Sequence, residues 1–287
     1  MAKDEMKITR RGLIKSGAAA AGFAALGPSW HPSPGGAPSE DRFRGLRVGI
    51  TSYSVRRLSL DDAIKATRRL GLSYISLKDF HLPMKSTADQ RREVADKVRQ
   101  AGLKLMGCGV VYMKNDQQEI RNAFEYARDA GIPTIVASPD PQAMPIVDRM
   151  VKEFDIRVAI HNHGPEDKNY PTPESVAKAI GGYDSRIGFC IDIDHTTRAG
   201  LDPAREIRRY ASRLYEMHYR DIDKAASGGK TIEAGRGVID LVSVFKALLD
   251  IRFEYHVALE YEKDEYDPLP GMAESIGYTR GILAVMR

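Results

Sequence analysis

Four short apolar runs in this sequence of 287 residues end on side chains that bind metal ions well. The runs cover residues 158–161, 189–192, 215–218 and 257–260, and they end on His161, Asp192, His218 and Glu260. If the runs are neighbouring parallel strands, their ends lie on one rim and these side chains converge. Two imidazoles and two carboxylates form a nitrogen and oxygen ligand set, without a thiolate, that suits a borderline-hard divalent cation.

More histidines gather at the same predicted rim. Five of the seven histidines in the chain fall at or just past the ends of predicted strands. They are His81, His161, His163, His195 and His218. A single histidine is more often a structural group than a ligand. Several histidines beside two carboxylates reverse that expectation and indicate a site where chemistry takes place.

From residue 46 onward, strand-like and helix-like runs alternate. The predicted strands are residues 47–53, 74–77, 104–111, 134–137, 158–161, 187–192, 214–218 and 255–260. The predicted helices are residues 60–70, 88–101, 117–130, 143–153, 173–180, 203–210, 239–249 and 272–286. Strict alternation favours a parallel sheet. Eight units in this length predict a closed (β/α)₈ TIM barrel that occupies residues 41–287.

A doubly wound open sheet is the other α/β arrangement to consider. Such a sheet usually has a glycine-rich phosphate turn after its first strand. The corresponding turn here is Ser52-Tyr53-Ser54-Val55-Arg56, which contains no glycine. The barrel is therefore the preferred prediction.

Composition and the first residues limit the partners and the compartment. Apolar residues make up 43% of the chain, charged residues 29%, and the net charge is +4, which gives no basic excess for nucleic-acid binding. Arg10 and Arg11 precede a weakly apolar stretch, residues 16–27, that is too short for a stable membrane span. Residues 1–40 resemble a twin-arginine export signal and spacer, so we expect a periplasmic protein. Whether it forms a homo-oligomer stays open.

Several motifs resemble those of the xylose-isomerase-like TIM-barrel sugar isomerases and epimerases. They are Asp192-Ile-Asp-His195, Ala199-Gly-Leu-Asp-Pro203, His218-Tyr-Arg-Asp221, Gly235-Arg-Gly-Val-Ile-Asp240 and Leu259-Glu260-Tyr-Glu262. They occur in the order of the family, and the resemblance extends from residue 47 to the end of the chain. It implies one divalent metal ion, Mn, Mg, Co or Zn, held by Asp192, His218 and Glu260 together with a fourth ligand.

The fourth ligand is where this chain departs from the family. The family has a glutamate on the fifth strand, and this chain has His161, as in the similar strand of inosose dehydratases. His163 lies on the same strand face, and Glu166 offers a carboxylate from the loop. All three are candidates, with His161 preferred and His163 second.

The resemblance implies a small sugar as the substrate and an enediolate of a keto-sugar as the intermediate. The sequence has no obvious basic cluster for a phosphate, which favours a non-phosphorylated sugar. Glu260, His163 and His195 are candidate bases, and Lys78 is a candidate to stabilise the enediolate or protonate a leaving oxygen. The candidate substrate contacts are His81, Glu166, Arg220 and Tyr53. Return of the proton to the neighbouring carbon gives isomerisation, and its return to the opposite face of the same carbon gives epimerisation. Loss of a β-substituent instead gives dehydration or lyase chemistry, and a barrel that only binds carbohydrate is a third possibility.

Overall fold

The computed structural model describes residues 41–286, and the predicted export signal and spacer lie outside this part of the chain. The strands are β1 (Arg47–Thr51), β2 (Tyr74–Leu77), β3 (Lys104–Met113), β4 (Thr134–Pro139), β5 (Arg157–His161), β6 (Ile187–Asp192), β7 (Leu214–Tyr219), β8 (Asp221–Ile222), β9 (Thr231–Ile232) and β10 (His256–Leu259). The α-helices are α1 (Leu60–Arg69), α2 (Ala88–Gln100), α3 (Gln117–Asp129), α4 (Met144–Phe154), α5 (Pro173–Ala179), α6 (Ile193–Arg198), α7 (Pro203–Arg209), α8 (Leu241–Asp250) and α9 (Leu269–Val285). None of these helices is long and apolar enough to cross a membrane.

Eight parallel strands close into a barrel in the order β1-β10-β7-β6-β5-β4-β3-β2, which confirms the predicted (β/α)₈ fold. The register pairs His161 with Cys190 and Asp192 with His218. One residue past β10, the backbone N–H of Glu260 still donates to the carbonyl of Tyr219, at 3.0 Å. The four predicted ligands therefore stand close together at the carboxyl ends of adjacent strands, the rim that carries the chemistry in this fold.

The helices begin where short polar side chains can bind their free amide groups. Thr87 accepts from the N–H of Gln90 while the side chain of Gln90 accepts from the N–H of Thr87, which forms a capping box at the start of α2. Side chains of Ser59, Asp116, Thr172, Asp202 and Asp240 cap α1, α3, α5, α7 and α8 in the same way.

Several predicted boundaries were wrong. The first strand ends at Thr51 rather than residue 53, because the chain turns into a 3₁₀-helix, Ser52–Val55. A further helix, α6, follows β6 directly and was not predicted. The region predicted as a loop after β7 contains an antiparallel ribbon of β8 and β9. Strand β3 runs two residues further than predicted, because it stays paired with β4 as far as Met113.

Asp221 holds the ribbon and the loop that follows it, which contains Gly235 and Gly237. Its two carboxylate oxygens accept hydrogen bonds from four backbone amides at 2.9–3.1 Å. The amides belong to Ile222, Gly235, Gly237 and Ile239. Asp221 ends the His218-Tyr-Arg-Asp221 motif, so this position of the motif has a structural role that brings the loop down onto the barrel.

We expect Asp221→Ala to lower the free energy of unfolding by about 2 kcal/mol or more, because buried amides lose a charged acceptor. Urea denaturation followed by circular dichroism measures the loss. Asp223→Ala is the matched control, since Asp223 is exposed and accepts from a single amide, that of Lys230. Equal stability of the two variants would contradict the anchoring role.

Candidate metal and substrate site

His161, Asp192, His218 and Glu260 meet at the floor of the barrel mouth, and all four are buried. His161 Nε2 lies 3.2 Å from His218 Nδ1 and 3.4 Å from Asp192 Oδ2. His218 Nδ1 lies 3.4 Å from Glu260 Oε2. One ligand atom from each residue lies within 4.8 Å of all the others. Ligands that bind one ion at about 2.0–2.2 Å are at most about 4.4 Å apart, so small side-chain adjustments bring these four into a coordination shell.

Local hydrogen bonds fix the carboxylates of this cluster. Asp192 ends β6 and caps α6, because its Oδ1 accepts from the N–H of His195 at 3.1 Å and its Oδ2 is left to face the cluster. The side chain of Asn162 accepts from the N–H of Asp192 at 3.0 Å and donates to its carbonyl at 3.3 Å. Thr51 Oγ1 donates to Glu260 Oε1 at 3.2 Å.

Arg220 and Lys78 contact the same carboxylates. Arg220 Nη1 lies 2.9 Å from Glu260 Oε2 and 3.2 Å from Asp192 Oδ2, and Arg220 Nε lies 2.6 Å from Asp194 Oδ2. Arg220 Nη1 is also 3.4 Å from Glu262 Oε1. Lys78 Nζ lies 3.1 Å from Glu260 Oε1.

Carboxylates outnumber the Arg and Lys side chains that contact them in this cluster. Four carboxylates face Arg220 and Lys78, and burial opposes ionisation of all four. The charge of Arg220 outweighs burial at Asp192, and the charge of Lys78 outweighs it at Glu260, so the pKa of both carboxyls is lowered. At Asp194 and Glu262 burial prevails and the pKa is raised. A divalent cation bound beside Asp192 and Glu260 would offset the negative charge of these two ionised groups.

The two nitrogen ligands differ in protonation. Burial lowers the pKa of His161, which keeps its imidazole neutral and its lone pair available. At His218 the neighbouring acidic groups outweigh burial and raise the pKa well above its usual range, so a bound metal ion would have to displace a proton there. The thiol of Cys190 lies close to both histidines as well. Burial raises its pKa to about 11, so the thiol holds its proton at neutral pH. The carboxylates of Asp192 and Glu260 are therefore the better partners for the two imidazoles.

A cavity of about 590 Å³ opens above this floor. His161 and Glu260 form part of its base, and Lys78, His163 and His195 line it as predicted from the sequence. The ring of Tyr53 also lines it, with Lys78 Nζ 5.3 Å from the ring centroid. The cavity therefore places every candidate base and the candidate acid around one volume.

Three predicted substrate contacts lie elsewhere. His81 is buried behind Phe80, and its Nε2 is 3.0 Å from the carbonyl of Leu58, so it is a structural histidine. Glu166 is half exposed and pairs with Arg198 at 2.8 Å, away from both the cavity and the ligand cluster. Arg220 lies beneath the cavity wall, where it binds carboxylates of the protein.

Glu216 is a buried carboxylate that the sequence analysis missed. Its Oε1 is 2.8 Å from His256 Nδ1 and 3.7 Å from His218 Nε2, so it stands directly behind a candidate ligand. Its position two residues before His218 on β7 was the available signal, since that spacing places both side chains on one strand face. Thr51 and Asn162 were missed as well, because a lone hydroxyl or amide beside a strand end carries no pattern.

The sequence model of one family, the xylose isomerase-like TIM barrel, matches residues 53–282. The chain belongs to this family. A curated relative is an inosose dehydratase of Clostridium botulinum (strain Eklund 17B / Type B), 22% identical over 146 residues, which is 45% of this chain and 47% of that protein. The match thus spans about half the length of that relative.

Solved structures of the same fold cover more of the chain. An L-ribulose 3-epimerase superposes with a TM-score of 0.69 at 16% identity, over 83% of this chain and 95% of that one. The IOLI protein with a bound zinc atom superposes with a TM-score of 0.70 at 15% identity, over 83% of this chain and 98% of that one. At these identities the likeness shows the fold, and the roles of individual residues rest on the geometry above.

In the metal-free protein we expect Arg220→Met to lower the free energy of unfolding by about 3–5 kcal/mol, because it leaves buried carboxylates without their cation. Urea denaturation in the presence of a chelator measures this. Arg236→Met is the matched control, since it removes an exposed pair with Glu274 and should change stability far less. Equal losses in the two variants would contradict the charge imbalance.

Proposed function

We propose that this chain is a divalent-metal-dependent sugar isomerase or epimerase that works through an enediolate of a keto-sugar. The convergence of His161, Asp192, His218 and Glu260 at the barrel mouth, with His161 and Glu260 lining one cavity, is the observation that carries the proposal. The family of the chain and the L-ribulose 3-epimerase among its structural relatives support it. The identity of the ion, Mn, Mg, Co or Zn, is left open by the donor set.

A divalent cation bound by these four residues would polarise the sugar carbonyl and stabilise negative charge on the adjacent oxygens. The protein side chains supply the rest. His163 lines the cavity, and burial lowers its pKa, so a neutral imidazole is available to take the proton from the carbon next to the carbonyl. His195 lines the same cavity and is the second candidate base, although the guanidinium groups of Arg220 and Arg198 lie 3.3 Å from its Nε2 and 3.4 Å from its Nδ1 and compete for its lone pair. Lys78 holds Glu260 in place and directs its ammonium group into the cavity.

Elimination of a β-substituent from a keto-sugar or inosose is the second candidate function. Lys78 favours it, because an ammonium group that lines the cavity can protonate a leaving oxygen. The replacement of the family glutamate by His161 favours it too, since it removes one of the two carboxylates used for proton transfer on opposite faces of the sugar. The relative named inosose dehydratase gives further support.

We expect purified protein to hold one divalent ion per chain and to exchange a carbon-bound hydrogen of a bound ketose for solvent deuterium. Asp192→Ala and His218→Ala should each empty the site and abolish exchange, because each removes a ligand. Elemental analysis and proton NMR measure the two effects. Glu206→Gln, a buried carboxylate on α7, is the control that should retain both. Full metal occupancy in both ligand variants would contradict the proposal, and metal binding without exchange would favour a barrel that only binds carbohydrate.

We expect Lys78→Met to separate the two candidate reactions. The variant should retain deuterium exchange, because the base and the ligands remain. Any elimination product should form about 10²–10⁴-fold more slowly, since the leaving oxygen loses its acid. Chromatographic product analysis measures this, with the exposed Lys65→Met as the control. Equal losses of exchange and elimination would show that Lys78 acts on proton abstraction instead. If the wild-type protein yields no elimination product, isomerisation or epimerisation is the one remaining candidate reaction.

A further inference from the structure

One wall of the cavity is apolar. It is formed by Phe80, Met84, Val110, Val111 and Tyr112. Among the described residues that line the cavity, Lys78 at the floor is the only Lys or Arg. The wall therefore offers nothing to a phosphate group, and it offers a large contact surface to an uncharged ring.

Two aromatic side chains of this wall are held open to solvent. Tyr112 is 69% exposed and Phe80 is 48% exposed. Of the seven large hydrophobic residues that are exposed in residues 41–286, these two line the cavity. Single exposed apolar residues are ordinary, but two aromatic rings at the mouth of one cavity form a patch of the kind that binds ligands.

The backbone fixes Tyr112 in position. Strand β3 has ten residues where the other barrel strands have four to six, and its end stays paired with β4, with Tyr112 opposite Ser138. A bulge at Cys108–Val111 changes the register, and Gly109 in it has a φ of +111° and packs against the carbonyl of Val136, where a Cβ would clash. Tyr112 thus stands on a paired strand extension above the rim rather than on a loop tip.

The aromatic surface continues from the wall to the floor. The ring of Tyr112 stacks beside His163 at a centroid distance of 6.1 Å and an angle of 19°. His163 in turn lies 4.3 Å from the ring of His161. A ligand anchored at the floor can therefore extend along this surface without a gap.

The volume of the cavity exceeds what one sugar ring needs. A hexose has twelve heavy atoms, and at roughly half to two-thirds of the 30 Å³ that a water molecule occupies, it fills about 200 Å³. The cavity measures about 590 Å³. It has the size of sites that hold drug-sized ligands, about 300–1,000 Å³.

We infer that the substrate is a non-phosphorylated keto-glycoside, whose ketone-bearing sugar sits at the floor and whose second ring, joined through the glycosidic bond, packs on Phe80 and Tyr112. This inference rests on the proposed function, because that function places the reacting sugar beside the candidate metal ligands at the floor of the cavity. The second ring is either another sugar, which presents its C–H face to the aromatic rings, or an aromatic aglycone, which stacks on them. Both have the same apolar contact with the wall.

Binding of matched glycosides to the metal-loaded protein tests the inference. The probes are the methyl and phenyl β-glycosides of glucose, galactose and xylose, together with the disaccharide cellobiose. Isothermal titration calorimetry should show at least one phenyl glycoside, or cellobiose, binding about tenfold more tightly than its methyl counterpart, because only it reaches the wall. The phenyl and cellobiose arms distinguish an aromatic aglycone from a second sugar.

Tyr112→Ala should weaken binding of the phenyl glycosides and cellobiose more than binding of the methyl glycosides, and so reduce this preference. Tyr266→Ala, an exposed tyrosine that does not line the cavity, is the control and should keep the preference. If no probe with a second ring binds more tightly than its methyl counterpart, or if Tyr112→Ala weakens all probes equally, the inference is wrong. That result is separate from failure of the proposed function, which appears as loss of metal-dependent deuterium exchange in the wild-type protein.

Discussion

The excess of carboxylates over Arg and Lys side chains at the mouth of the barrel is the constraint on which the rest of the site depends. Barrel closure brings Asp192, Asp194 and Glu260 into one buried volume, with the partly exposed Glu262 beside Arg220, and the low dielectric there makes like charges costly. Arg220 and Lys78 offset part of that cost. The remaining imbalance, beside two imidazoles whose nitrogens are 3.2 Å apart, is the physical reason to place a divalent cation there.

The same constraint divides the cavity into two halves with different chemistry. The floor gathers the charged and titratable groups, and the proposed proton transfer would take place in the volume above it. The wall that includes Phe80 and Tyr112 carries no charged side chain, so it would select a substrate by shape and apolar contact. In the proposed function, reaction type would depend on β5, β6, β7 and β10, and substrate choice on the extension of β3 and the segment after β2.

The candidate ligands at the strand ends could be predicted from the sequence, and the local partners that hold other side chains in place could not. His161, Asp192 and His218 end short apolar runs, and once the strands are parallel neighbours their convergence follows from register. His81 and Glu166 follow strands too, but local partners, the carbonyl of Leu58 and the guanidinium of Arg198, hold them away from the cavity. No periodicity encodes such partners. The ribbon of β8 and β9 was missed for a similar reason, since two-residue strands are too short to show alternation.

A crystal structure of zinc-loaded protein with anomalous diffraction data collected at the zinc absorption edge is the most direct test of the metal site at the barrel mouth. We expect one strong anomalous peak per chain, about 2.0–2.2 Å from His161 Nε2, His218 Nδ1 and a carboxylate oxygen of both Asp192 and Glu260. We also expect Arg220 to stay bound to Asp194 while its contacts with Asp192 and Glu260 lengthen. A peak at another position, or no peak at the barrel mouth with Arg220 still bridging Asp192 and Glu260, would contradict a metal site formed by these four residues.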